Sequence, residues 1–357
     1  MKATKTGTDK PVLCYIGDLP DQRIDGITTS FQRNLDILSR HYNIINTPEN
    51  SRLDRSVFIR IITVFNFWKR TKIFLSRKKT DICYFNLPVS TLGVIKVLFL
   101  LICIKKVSQY SVLHIHRGDF NKEIQNSTLF RNLVKRIFEK ADGIIVLSKT
   151  EAALLNETMK SKKVKYLANS IHVPESSLIK YVNGKNLLYI SNYLESKGIF
   201  DLLEVLKDLK SEAISLDCYG HFPDDKMKYK VVAYHSESIK INGPIVGDDK
   251  FIAMNKAIGI ILPSWSEGQP LVILEAMSQG LPIIASDVGF VKEMLGDDYP
   301  FLIEPRNKTA LKNAIIKLSN SKDLDIIGKG LKDRFDIYFS PEIHEKKLLK
   351  IFEPFIN

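Results

Sequence analysis

Between Pro263 and Glu293 the chain reads PSWSEGQPLVILEAMSQGLPIIASDVGFVKE, and this run holds the residues best suited to chemistry. Two carboxylates, Glu267 and Glu275, stand with seven residues between them. A strand over Gly259–Leu262 should end at Pro263, the loop SWSEGQ should follow, and Pro270 should open a helix at its first position, where proline's fixed φ and missing N–H cost nothing. The first-turn amides of Leu271 and Val272 then lack intrahelical partners and point out of the helix end, which makes an anion site without any side chain. Glu275 falls about a turn and a half into that helix. Glu267 precedes it in the loop, so one carboxylate can stand beside a reacting group while the other reaches deeper. Gly268 allows backbone to approach a ligand closely. Leu274, Ala276 and Met277 surround Glu275 with apolar side chains, which argues against a freely solvated position.

The elements that must position these residues alternate between short β-branched runs and longer helical patterns. In the first half, strands are expected at 11–16, 42–45, 81–86, 111–116, 143–147 and 164–167, with helical spacing at 28–39 and 132–140. In the second half, strands are expected at 186–191, 214–219, 239–242, 259–262 and 282–286, and helices at 199–210, 248–256, 270–279 and after 309. A last helix from Ser340 to about Phe352 opens on Ser-Pro-Glu, a good cap and first turn. This alternation predicts an α/β protein with parallel sheets covered by helices on both faces. Residues 172–184 (HVPESSLIKYVNG) lose periodicity and read as a linker. The expected organisation is an N-terminal domain over 1–180, a C-terminal domain over 181–339 and a closing helix over 340–357 that returns to the first domain. Two doubly wound domains of this kind carry ligands at the carboxyl ends of their strands, in a crevice between them.

On these residues the run resembles the E-x7-E region of family 4 retaining glycosyltransferases, whose fold is GT-B: two Rossmann-like domains with a nucleotide-sugar crevice. The resemblance implies that Glu267 contacts donor-sugar hydroxyls near the anomeric centre, that Glu275 bonds the nucleotide ribose, and that the amides between them, from Gly268 through Pro270 to Leu271 and Val272, hold the diphosphate. The continuation GLPIIASDVG (280–289) and Glu293 also match. ISNYLESKGIFDLLEVL (190–206) resembles the strand and turn that open the second domain, where Lys197-Gly198 would place an ammonium on the departing diphosphate. Asn192 stands where the family commonly has Arg, and a neutral amide donates a hydrogen bond without supplying charge. Gly17 and Asp25-Gly26-Ile27-Thr28 resemble the family's Gly-rich loop, and LHIHRGDF (113–120) resembles the strand that sets a His, here His116, beside the donor sugar. His114 and His116 also read as ordinary strand histidines on one face. Asn169 and the loop 241–244 fit stations near the linker and the nucleotide base.

Net charge divides unevenly. Residues 1–180 hold 30 Lys and Arg against 15 Asp and Glu, whereas the rest hold 22 against 25, so +15 and −3 make up the total of +12. The segment 52–79 is the basic extreme, with Arg52, Arg55, Arg60, Lys69 and Arg70 among its nine cations and Trp68 and Phe65 between them. Basic residues flanking Trp and Phe suit a helix lying on an anionic membrane. Nucleic acid is not expected, because no stacking motif or recognition helix accompanies the charge. The apolar run 92–104 is too short to span a bilayer and reads as a buried helix. MKATKTGTDK lacks the apolar core of a signal peptide, and four scattered cysteines read as buried free thiols, which together predict a cytoplasmic protein. The DD pairs at 224–225, 248–249 and 297–298 read as solvated turns, so no metal or other cofactor is expected.

These readings converge on an expected activity: transfer of a sugar from a UDP- or GDP-linked donor, with retention, to a glycolipid or polyprenyl-diphosphate-linked acceptor on the inner face of the membrane. The alternatives are a nucleotide-sugar epimerase or phosphorylase on the same fold, or a catalytically silent, membrane-associated sugar-binding partner.

Overall fold

The computed structural model describes residues 10–20, 25–47, 66, 69, 71, 73–74, 80–105, 108–174, 184–209 and 212–355. The chain forms two compact units: residues 1–168 with 344–357, and residues 169–343. Residues 175–183, most of the expected linker, lie outside the described residues.

The first unit carries a six-stranded sheet, all its pairings parallel: β1 (Val12–Ile16), β2 (Asn43–Thr47), β3 (Thr80–Asn86), β4 (Ser108–Ile115), β5 (Gly143–Val146) and β6 (Val164–Tyr166), in the order β2-β1-β3-β4-β5-β6. Strand residues alternate between faces, so Cys14 and Ile16 enter one core beneath helices Thr91–Ile104 and Thr128–Lys140. Leu13 and Tyr15 enter the other, with helix α1 (Gly26–Leu38) and Phe352. Both faces are buried, which explains why these strands are continuous apolar runs. Helix α1 starts on a capping box: Asp25 Oδ1 accepts from the amides of Ile27 (3.0 Å) and Thr28 (2.9 Å), and Thr28 Oγ1 accepts from the Asp25 amide (3.1 Å).

The second unit repeats the plan with β7 (Asn186–Ile190), β8 (Ser215–Tyr219), β9 (Ile239–Asn242), β10 (Gly259–Leu262), β11 (Ile283–Ser286) and β12 (Leu302–Ile303), ordered β12-β11-β10-β7-β8-β9 and parallel throughout. Its core gathers Tyr189, Leu203, Leu216, Ile261, Ile284 and Ile315 from strands and covering helices.

Among the described residues five helices go beyond the sequence reading: Phe120–Asn126, Lys149–Thr158, Asp225–Val232, Val291–Leu295 and Leu324–Tyr338. Two of the acidic pairs belong to helix starts rather than solvated turns. Asp224 caps Asp225–Val232 by accepting from the Met227 amide at 2.7 Å, and Asp248 and Asp249 form the first turn of Asp248–Met254. The pair Asp297-Asp298 does lie in a turn. Helix Thr91–Ile104 is only half buried: Leu92, Phe99 and Ile102 are exposed, contrary to the expectation of a core helix. No helix among the described residues is long and apolar enough to cross a membrane. Cys14, Cys83 and Cys218 are buried free thiols and Cys103 is half-buried.

The C-terminal residues of the first unit are held by a buried polar chain. His344 donates from Nδ1 to the Ala168 carbonyl (2.8 Å), and its Nε2 lies 2.7 Å from the Asn34 side-chain amide. That amide lies 2.9 Å from the Tyr84 hydroxyl, itself 2.7 Å from His114 Nδ1. Burial pushes His344 down to about 4 and His114 well below the usual range, so both are neutral near pH 7. A folded-state pKa below the unfolded value means that the unfolded chain takes up protons first as pH falls. Stability should therefore fall from about pH 7 toward pH 4, by about 2 kcal/mol for a group such as His344 between pH 7 and 5. Urea midpoints at pH 7.5 and 5 check this: His344→Gln should start less stable and show a shallower pH slope, whereas parallel slopes would remove His344 as a cause.

Candidate functional site

In the second unit the strand order reverses between β7 and β10: the chain runs outward from β7 through β8 and β9, then returns to the other side of β7 as β10. Loops leaving the carboxyl ends of two such strands diverge and expose a recess, the usual ligand position in a doubly wound sheet. Both sequence-predicted charged side chains arrive there. The turn Glu195–Lys197 follows β7, and the loop after β10 carries Glu267. Lys197 Nζ meets Glu267 Oε1 at 2.7 Å, and Ser264 Oγ donates to the same oxygen at 2.7 Å. The Glu267 side chain is 8% exposed and that of Lys197 26%. Removing one partner of such a pair leaves an uncompensated charge, costing about 3–5 kcal/mol when both are fully buried and less here because the ammonium reaches water.

Two glycines let these loops meet. Gly198, at φ 69°, follows Lys197, and a Cβ there would lie 2.0 Å from the Pro263 carbonyl oxygen. Gly289, at φ 58°, packs against the other side of the loop, where a Cβ would lie 2.1 Å from the Glu267 carbonyl oxygen. The Phe290 amide also donates to the Gly268 carbonyl at 3.0 Å. The stretch 280–289 therefore braces the Glu267 loop from behind. Trp265 ties it forward: its amide donates to the Ser196 carbonyl (2.8 Å), its Nε1 to Asp201 Oδ2 (2.9 Å), and the Arg306 guanidinium stacks 4.2 Å from the ring centre.

Pro270 is the N-cap of helix Leu271–Ser278 rather than its first residue, and no side chain caps that end. The Leu271 and Val272 amides thus open the first turn, as the anion-site reading requires. Glu275, the fifth residue of that helix, is buried and forms an ion pair with Lys250 from helix Asp248–Met254. Gln269 is buried, and its carbonyl accepts from Asn169 Nδ2 at 2.8 Å. Asn192 follows β7 and is exposed. The loop after Asn242 runs beside it at the same strand ends, where the Asn242 carbonyl accepts from Tyr193 Oη at 2.7 Å. The Glu293 carbonyl accepts from Arg334 at 2.9 Å.

In the first unit the order reverses between β1 and β3. Gly17 and the exposed Gly26 follow β1, and His116 follows β4, all at the carboxyl edge. The Ile27 and Thr28 amides are already met by Asp25, so this helix end offers a carboxylate rather than open donors. His116 is buried with its ring centre 3.9 Å from that of His114 and 4.9 Å from that of Phe31. Burial pushes it down to about 3, so its neutral ring can exchange hydrogen bonds without becoming a cation near pH 7. Its Nε2 has no hydrogen-bond partner among the described residues. Of the basic segment's cations Lys69 is described, and it is exposed; Arg52, Arg55, Arg60, Trp68 and Arg70 lie outside the described residues. No group of three His, Cys, Asp or Glu side chains among the described residues is placed to hold a metal ion.

Sequence reasoning missed Ser264, Trp265 and Lys250. Ser264 and Trp265 lie within the quoted run, but their partners are set by the fold. Lys250 is 25 residues from Glu275 and carries no local signal linking the two.

Comparison with known proteins gives this geometry its class. Residues 184–321 match the family model described as "Glycosyl transferases group 1". An uncharacterized glycosyltransferase of Methanocaldococcus jannaschii is 28% identical over 256 residues, 70% of this chain and 69% of that protein. An Escherichia coli UDP-Gal:alpha-D-GlcNAc-diphosphoundecaprenol alpha-1,3-galactosyltransferase is 36% identical over 75 residues, 21% of this chain and 19% of its own. Sucrose-phosphate synthase from Thermosynechococcus elongatus superposes with a TM-score of 0.76 at 16% identity, covering 96% of this chain and 99% of that one. The fold is GT-B. The chain is a glycosyltransferase, and its residues 184–321 are similar to the group 1 family.

The bracing role of Gly289 is directly testable. Gly289→Ala should lower Tm by several degrees, since the Cβ must displace the Glu267–Gly268 backbone, and should abolish transfer. A variant with parental Tm and activity would show that the loop tolerates displacement.

Proposed function

We propose that this chain transfers a sugar from a UDP- or GDP-linked donor to an acceptor hydroxyl on a glycolipid or polyprenyl-diphosphate-linked oligosaccharide, with retention, in the synthesis of a surface polysaccharide. The observation that carries the reading is the Lys197–Glu267 pair at the strand-order reversal, beside a helix end that no side chain caps. In this reading the diphosphate lies on the Leu271 and Val272 amides, with Gly268 and Pro270 keeping the approach clear. Lys197 then exchanges part of its bond to Glu267 for the developing charge on the leaving phosphate. Such preorganised donors stabilise charge where it forms and cost little reorganisation. Glu267, held by the Ser264 hydroxyl, accepts from donor-sugar hydroxyls, and neutral His116 bonds a further hydroxyl. Glu275 accepts from the ribose hydroxyls, in competition with Lys250. The charge that Arg would bring at Asn192 is absent, and the reading gives Lys197 and the helix end that work without a cofactor.

The donor class draws support from the Escherichia coli relative, whose name specifies a UDP-sugar donor and a lipid-diphosphate acceptor. The basic balance of residues 1–180 supports association with the inner membrane face, where such an acceptor resides.

A thermal-shift panel of nucleotide sugars tests the reading, because a cognate donor at about 100 times its Kd stabilises by about 2.7 kcal/mol. One UDP- or GDP-sugar should raise Tm, and Lys197→Ala and Glu267→Ala should each cut transfer by at least about a hundredfold. Transfer unchanged in both variants would refute the assignment. Interconversion of labelled donor without acceptor would mark an epimerase instead.

A further inference from the structure

Helices Thr91–Ile104 and Thr128–Lys140 pack side by side over the same face of the first sheet, their inner residues (Val94, Val97, Leu101 and Phe130, Val134, Ile137) sharing one core. Their outer faces therefore look the same way. On the first helix, Leu92, Phe99 and Ile102 fall within one third of the helical circumference and are 46%, 56% and 45% exposed. On the second, Leu129 is 62% exposed. A soluble surface scatters such residues singly, whereas a face that groups large apolar side chains marks an interaction site.

The charges around this face are mostly positive, with the exposed Glu139 the exception on the two helices. Lys96 and Lys105 belong to the first helix and its cap, and Arg131, Lys135 and Arg136 are exposed on the second. The first helix contains no acid, and the second contains only Glu139. An acidic protein partner would meet the cations but not call for a Phe and three aliphatic side chains exposed on the same two helices. A lipid surface satisfies both, since acidic headgroups take the cations while apolar side chains enter the acyl boundary.

We propose that the outer face of helices 91–104 and 128–140 is a docking surface for an anionic lipid bilayer. None of its residues belongs to the basic segment 52–79. It extends the membrane-facing part of the proposed function but does not depend on which donor or acceptor is used. Apolar insertion and headgroup attraction act together, so losing either should release the protein.

Co-sedimentation of the full chain with phosphatidylcholine vesicles, with and without about one third phosphatidylglycerol, tests this at about 0.15 M salt. The parent should bind the anionic vesicles only. Phe99→Ser/Ile102→Ser should weaken binding at least about tenfold, and Arg131→Glu/Lys135→Glu/Arg136→Glu more than about a hundredfold. Circular dichroism and donor-induced thermal shifts should match the parent in both variants, because neither set of residues belongs to the donor site. Equal vesicle binding by parent and variants, or no binding by the parent, overturns the proposal. So does a concentration-dependent dimer that Phe99→Ser dissolves, which would assign the face to a second copy of the chain. A variant that binds vesicles poorly yet keeps its donor shift supports the surface, whereas loss of the donor shift in the parent would count against the proposed function alone.

Discussion

The contact on which the second unit's chemistry turns is the ion pair between Lys197 and Glu267. Each residue leaves a different strand, β7 or β10, and the two strands are neighbours only because the order of the sheet reverses there. A charge pair in a place with little water must be held closely, because its attraction has to offset the loss of hydration. Ser264 adds a second donor to the same carboxylate oxygen, and Trp265 pins the loop to the Lys197 turn. Gly198 and Gly289 permit the backbone approaches that close the arrangement. Much of the long motif is thus concerned with placing one carboxylate and one ammonium.

That placement has a chemical use only if the pair can open. An ammonium bound to a carboxylate is ready for a phosphate oxygen that brings more charge, and the carboxylate released is ready for hydroxyl donors. The Glu275–Lys250 pair repeats the pattern a turn and more into the next helix. In the proposed reading both carboxylates wait for hydroxyls, one set on the sugar and one on the ribose, with a lysine guarding each. Asn192 fits this economy of charge: the site concentrates its cations on side chains already paired with acids rather than adding an unpaired Arg.

The parallel α/β architecture was legible in the sequence because strands buried on both faces must be short apolar runs; among the described residues eleven strands form where such runs were read, and only the two-residue β12 was not anticipated. The Glu267–Glu275 spacing was legible because a loop and one helix turn fix it locally. Elements with mixed composition were harder to read. Asp225–Val232 exposes most of its side chains and buries Val231, so its apolar period is faint. Helix Thr91–Ile104 misled in the opposite direction: its composition suits a core, yet an outer third stays in solvent. The partners Lys250, Trp265 and Asp201 were invisible because contacts between distant segments depend on strand order, which no local pattern encodes. His114 and His116 could be placed on one strand, but the chain of Tyr84, Asn34 and His344 that holds His114 is a product of packing.

The most direct measurement is a crystal structure of this chain grown with the nucleoside diphosphate that gives the largest thermal shift. The account predicts a phosphate within hydrogen-bond distance of Lys197 Nζ and of the Leu271 or Val272 amide, with the ribose on Glu275 and Lys250 moved aside. A nucleotide bound away from the ends of β7 and β10, with the Lys197–Glu267 and Glu275–Lys250 pairs intact, would contradict it.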